Sequence, residues 1–143
     1  MKLSHLTLAA LAALPVPALA GTVTVDLSGI RAGTGDLYVS LQKKEEFMQP
    51  RGSYGEIVAK PAAGSRTVVL EGVAPGTYAA SVWHDLDGDR QWDGEETGAA
   101  NPDGWAMVNG DKLRAEPRFE EVSFTVADAP QTLTLPLRYG YGR

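Results

Sequence analysis

GTYAASVWHDLDGDRQWD, residues 76 to 93, changes character halfway along. Its first half alternates: Tyr78, Ala80, Val82 and His84 fall on one side, Ala79, Ser81 and Trp83 on the other. Period two over seven or more residues is the pattern of a half-buried β-strand. The second half drops the alternation and gathers Asp85, Asp87, Asp89 and Asp93, and Glu95 and Glu96 follow. A strand therefore delivers the chain into an intensely acidic loop.

The same alternation recurs on both sides of this stretch. Val23, Val25 and Leu27 form one run, and Leu37, Val39 and Leu41 another. Val68 and Leu70 follow, then Val122, Phe124 and Val126, then Leu133, Leu135 and Leu137. Ser28-Gly29, Gly33-Thr34-Gly35, Ala74-Pro75-Gly76 and Asp128-Ala129-Pro130 punctuate the runs with turn formers. No helical stripe of three turns is present, and Lys43 to Gln49 is the best short helical candidate. Six or seven strands in about 120 residues predict an all-β, antiparallel Greek-key β-sandwich of about seven strands. A closed barrel is the alternative.

The first twenty residues read as a signal peptide. Lys2 is a lone positive charge, Leu6 to Leu14 is an apolar run, and Ala18-Leu19-Ala20 resembles a cleavage site. A membrane-spanning helix needs roughly 20 apolar residues, which this run does not reach. The expected mature domain is residues 21–143, a single unit in the periplasm or secreted. There is no cysteine, so disulfides and thiol chemistry are excluded.

The net charge is −5, and loss of Lys2 with the leader makes it −6. Residues 85–96 hold six acids against Arg90 alone, so the remainder of the domain is close to neutral. Nucleic-acid binding needs clustered Lys and Arg and is disfavoured. A polybasic membrane patch is missing as well. The partners left open are a cell-envelope protein or a glycan.

With Asp85 as position 1, acids occupy positions 1, 3, 5 and 9: Asp85, Asp87, Asp89 and Asp93. Gln91 at position 7 would offer its backbone carbonyl, and Glu96 at position 12 a bidentate carboxylate. These six are the predicted calcium ligands, since the spacing matches the EF-hand loop at every ligand position. Arg90 departs from it, standing at position 6 where the sharp turn calls for glycine. A non-glycine residue held left-handed there costs about 1–2 kcal/mol. Magnesium prefers fewer protein carboxylates, and zinc or copper would want more than His84, the one histidine of residues 21–143. The plainer alternative is a solvated acidic turn without a metal. In the calcium reading the ion also orders Gly94 to Asn109, whose apolar anchors are few.

The run Ala74-Pro75-Gly76-Thr77-Tyr78-Ala79, with Val82-Trp83-His84-Asp85 and the Asp/Gly-rich loop, resembles a family of exported bacterial proteins called domain of unknown function 2141. Gly98, Pro102-Asp103-Gly104-Trp105, Asn109 and Pro117-Arg118-Phe119 extend the likeness, as does Gly35-Asp36-Leu37-Tyr38-Val39. The strand pattern is also similar to transthyretin-like, immunoglobulin-like and carboxypeptidase-regulatory sandwiches. The resemblance implies a fold and a compartment, and it brings no activity with it.

No catalytic residues are expected. His84 stands at a strand end without a serine elbow beside it, and packing or fixing the loop is its expected role. Carboxylate pairs that could cleave glycosides arise in any acidic cluster, so they carry little weight. Trp83, Trp92 and Trp105, extended by Tyr38, Tyr54 and Tyr139, support the main rival: a metal-independent carbohydrate-binding or adhesion surface.

Overall fold

The computed structural model describes residues 20–49, 51–94 and 97–140. The signal-peptide reading therefore lies almost wholly outside the described residues, and so does Glu96. Within them the chain is all-β with almost no helix. Among the described residues no helix is long and apolar enough to cross a membrane.

The alternating runs become strands. β1 is Gly21–Ile30, β2 Leu37–Gln42, β3 Tyr54–Val58, β4 Gly64–Val73 and β5 Gly76–His84. β6 is Gly104–Met107, β7 Ser123–Val126, β8 Gln131–Pro136 and β9 Arg138–Tyr139. A four-residue helix, α1 at Phe119–Val122, and short 3-10 turns lie between strands. One of those turns, Lys44–Glu46, is what the expected helix around Lys43 to Gln49 amounts to.

Two sheets result. One has the order β4-β1-β8. The other runs β3-β2-β5-β6-β9, and β7 pairs with the first half of β5 on the side β6 takes along its second half. Val23, Val25, Leu27, Val68, Leu70 and Leu135 from the first sheet join Leu37, Val39, Leu41, Tyr78, Val82 and Ala106 from the second in one buried cluster. Burying an aliphatic or aromatic side chain of this size contributes roughly 1.5–3 kcal/mol, so this shared core holds the sheets face to face.

Three expectations need correction. The sheets are not purely antiparallel: β1 and β8 run parallel, from Val23 opposite Gln131 to Ser28 opposite Pro136. Alternation shows which side chains face inward but is blind to strand direction. With no hairpin joining these two strands, the intervening chain is free to bring β8 in either way. Strands also number nine among the described residues rather than about seven. The additions are short or at sheet edges: β3 buries only Val58, β6 has four residues and β9 two. Val122, finally, ends α1 instead of opening β7. It packs with Phe119 and Ala79 on the opposite side of the second sheet from the shared core.

β5 is the central strand of the second sheet. Its pairing sets Leu37 and Gly104 on either side of His84, so the acidic loop leaves from the middle of a sheet.

Candidate metal-binding loop

The loop is tied to the sheet at its first residue. The Asp85 amide donates to the Asp36 carbonyl at 3.1 Å, and the Thr34 amide to the Leu86 carbonyl at 3.0 Å. Gly35 lies so close that a Cβ there would collide with the Asp85 carbonyl and with Gly88. The Gly33–Gly35 turn thus forms the floor under the loop.

Short-range hydrogen bonds then curl the loop. Asp85, only 1% exposed, accepts from the Gly88 amide on Oδ1 at 2.8 Å and from the Arg90 amide on Oδ2 at 3.1 Å. Asp87 Oδ1 accepts from the Asp89 amide at 3.1 Å, and Asp89 Oδ1 from the Gln91 amide at 2.7 Å. Each Asp bonds to backbone two to five residues ahead, the local turn chemistry that Asp side chains favour. The curl needs left-handed backbone at Gly88 (φ +84°) and at Arg90 (φ +63°). Arg90 therefore adopts the strained conformation expected where an EF-hand loop would place glycine.

This curl gathers part of the predicted ligand set. Asp85, Asp87 and Asp89 present carboxylate oxygens within 4.8 Å of one another, with Asp87 and Asp89 exposed. Three negative charges at that separation repel, and a cation among them would reverse the sign of the interaction. Asp93 falls outside this trio. Its carboxyl is pushed above the usual range by burial, then by the charges of Asp89, Asp103, Asp87 and Asp85. Gln91 spends its amide and its side chain on Asp89, the latter at 3.1 Å. Glu96 lies outside the described residues.

Sequence reasoning passed over Asp103 as a site residue. It is 1% exposed and accepts three hydrogen bonds, from the Leu86 amide, the Trp83 indole and the Asp93 amide. The available signal was its place in Pro102-Asp103-Gly104-Trp105, a run that carries the family likeness without giving the acid a role.

His84 is fully buried, as its place in the alternation requires. Its Nδ1 lies 2.7 Å from the Tyr139 hydroxyl, whose oxygen accepts from the Arg31 amide at 2.9 Å. Tyr139 can then give its own proton to Nδ1, leaving Nε2 protonated and without a partner among the described residues. Burial pushes the His84 pKa down, while Asp103 and Asp85 pull it up. The imidazole braces the β5–β6–β9 corner.

The six aromatics of the rival reading divide. Tyr38, Trp83 and Trp105 occupy one cross-strand row, and the first two rings stack at 4.7 Å and 17°. Tyr54 instead meets Tyr78 edge-on at the core, and Tyr139 sits against His84. Trp92 is on the loop, 41% exposed.

Comparison with known proteins covers most of the described strands by sequence. Residues 25–134 match the model of a family described as uncharacterized proteins conserved in bacteria, DUF2141. No curated protein and no solved structure matches the chain.

Proposed function

We propose, for a chain that belongs to the DUF2141 family, the role of an exported, non-enzymatic β-sandwich module whose 85–96 loop binds calcium structurally. The finer fold we assign is the immunoglobulin/transthyretin-like Greek-key sandwich, and the compartment is the periplasm or beyond. The observation that carries the calcium reading is the convergence of Asp85, Asp87 and Asp89 within 4.8 Å at EF-hand spacing. The left-handed Arg90 supports it, because position 6 takes the backbone region where an EF-hand loop uses glycine.

Calcium suits this loop better than magnesium because several flexible oxygen ligands are on offer. Extracellular calcium modules bind at about 10⁻⁴–10⁻³ M, a range fit for holding structure rather than for signalling. The deciding experiment is a thermal melt of the full chain in calcium and in chelator. Calcium at about a hundred times its Kd should add about 2.7 kcal/mol. Identical melts in the two conditions would sink the reading.

One observation favours a second reading. The Tyr38–Trp83–Trp105 row lies on the face of the second sheet opposite the shared core, with Ile57 next to Tyr38 and 61% exposed. Flat stacked rings suit sugar faces. Tryptophan fluorescence titrated with a broad polysaccharide panel tests it, and silence across the panel rejects it.

A further inference from the structure

Residues Gly94 to Asn109 hold few apolar anchors, and a cation is one means of tying them down. The hydrogen bonds provide another. The Asp103 carboxylate accepts from the Leu86 amide on Oδ1 at 2.8 Å. Its Oδ2 accepts from the Trp83 indole at 2.8 Å and from the Asp93 amide at 3.1 Å. The Asp103 amide in turn donates to the Asp93 carbonyl at 2.8 Å.

One buried side chain thus joins the end of β5, the second loop residue and the ninth. Both backbone groups of Asp93 are held by Asp103, so the loop is drawn shut against the start of β6. A carboxylate that collects three N–H donors in a buried position makes charge-assisted bonds, the stronger kind. None of these bonds involves an ion.

We propose that Asp103 is a positioning residue that closes the 85–93 stretch of the loop before any cation arrives, so that this part of the site is preformed rather than folded by its ion. Asp103 acts through Asp93, whose backbone it fixes at the ninth position of the loop. The consequence for calcium affinity rests on the calcium reading above, whereas the consequence for loop closure stands without it.

Amide hydrogen exchange on the full chain in chelator decides the closure. The Leu86 and Asp93 amides should be protected, within about threefold of their rates in calcium. Unprotected exchange in chelator, with protection appearing only in calcium, overturns the proposal. This measurement uses the wild-type chain, so it decides even where Asp103→Asn does not fold. Trp83→Phe, which removes one donor of the three, should speed exchange at Asp93 while leaving the fold intact. No change there counts against the clamp.

Calcium titration then tests the positioning. Removing a partner that orients metal ligands typically weakens affinity about 10–100-fold, and Asp103→Asn should do the same. Asp93→Asn should cost less affinity in the Asp103→Asn background than in the wild type, since the two act as one unit. Unchanged affinity in Asp103→Asn, or full additivity, overturns the positioning role. If wild-type chain binds no calcium, the calcium reading fails, and protected Leu86 and Asp93 amides would still support closure by Asp103.

Discussion

The Arg90 amide donates to Asp85 Oδ2 at 3.1 Å from a left-handed backbone with φ +63°. The bond and the strain come together, because the amide reaches that oxygen only when the chain turns sharply at this point. The buried first acid of the loop is thus satisfied at the expense of its sixth residue.

Arg90→Gly should relieve this strain. Left-handed backbone costs a non-glycine residue about 1–2 kcal/mol, and glycine's extra freedom in the unfolded chain returns part of that. The expected net gain is up to about 1 kcal/mol, read as a higher urea midpoint in chelator. Moderate salt should be present, since losing the arginine also removes the loop's one positive charge. A clear drop in the midpoint would mean the side chain contributes more than the backbone strain costs.

Asp85→Asn and Asp89→Asn should separate structure from ligation. Asp85 is buried with both oxygens occupied by backbone amides, so Asn leaves one donor unmatched. Loss of about 1–3 kcal/mol is expected even in chelator. Asp89 is exposed, and its substitution should stay within about 0.5 kcal/mol in chelator while reducing any calcium-dependent rise. Equal behaviour of the two variants would contradict the division of roles.

Gly35→Ala should jam the loop against its floor. The added methyl would meet the Asp85 carbonyl, and it would lie 2.8 Å from Gly88 backbone atoms. Backbone on both sides leaves little room to yield, so a loss of about 3 kcal/mol is expected by thermal melt. A near-neutral result would show that the 33–35 turn moves freely of the loop.

Acid should weaken the fold through His84. Burial lowers its pKa in the folded state, so the unfolded chain takes up the proton first as pH falls. Stability from this group is therefore intact above its ordinary pKa of about 6.5 and is lost progressively below it. Urea midpoints between about pH 7.5 and 5.5 should fall more steeply for wild type than for His84→Gln. Parallel slopes would remove His84 from the account.

Much of the scaffold was legible residue by residue. Val23, Val25, Leu27, Leu37, Val39, Leu41, Tyr78 and Val82 all face the core as their alternation indicates, because a strand side chain has only two faces to choose from. The short strands β3 and β6 were not legible. Their few residues gain order from neighbours, and a segment such as Tyr54–Val58 with one buried side chain shows no period of its own. Strain at position 6 of the loop was legible because a sharp turn is a local matter.

The sequence by itself determined the two-faced strands, the place of the acidic loop after β5, and the spacing that lets Asp85, Asp87 and Asp89 converge. These are short-range consequences of backbone geometry. Only the tertiary structure decided that β8 runs parallel to β1, that Asp93 stands apart from the trio, and that Asp103 holds the loop. Those depend on residues brought together from distant parts of the chain: Leu86 and Asp103 are 17 positions apart and 2.8 Å away in space. No local pattern encodes such a meeting, because it follows from how β6 docks beside β5.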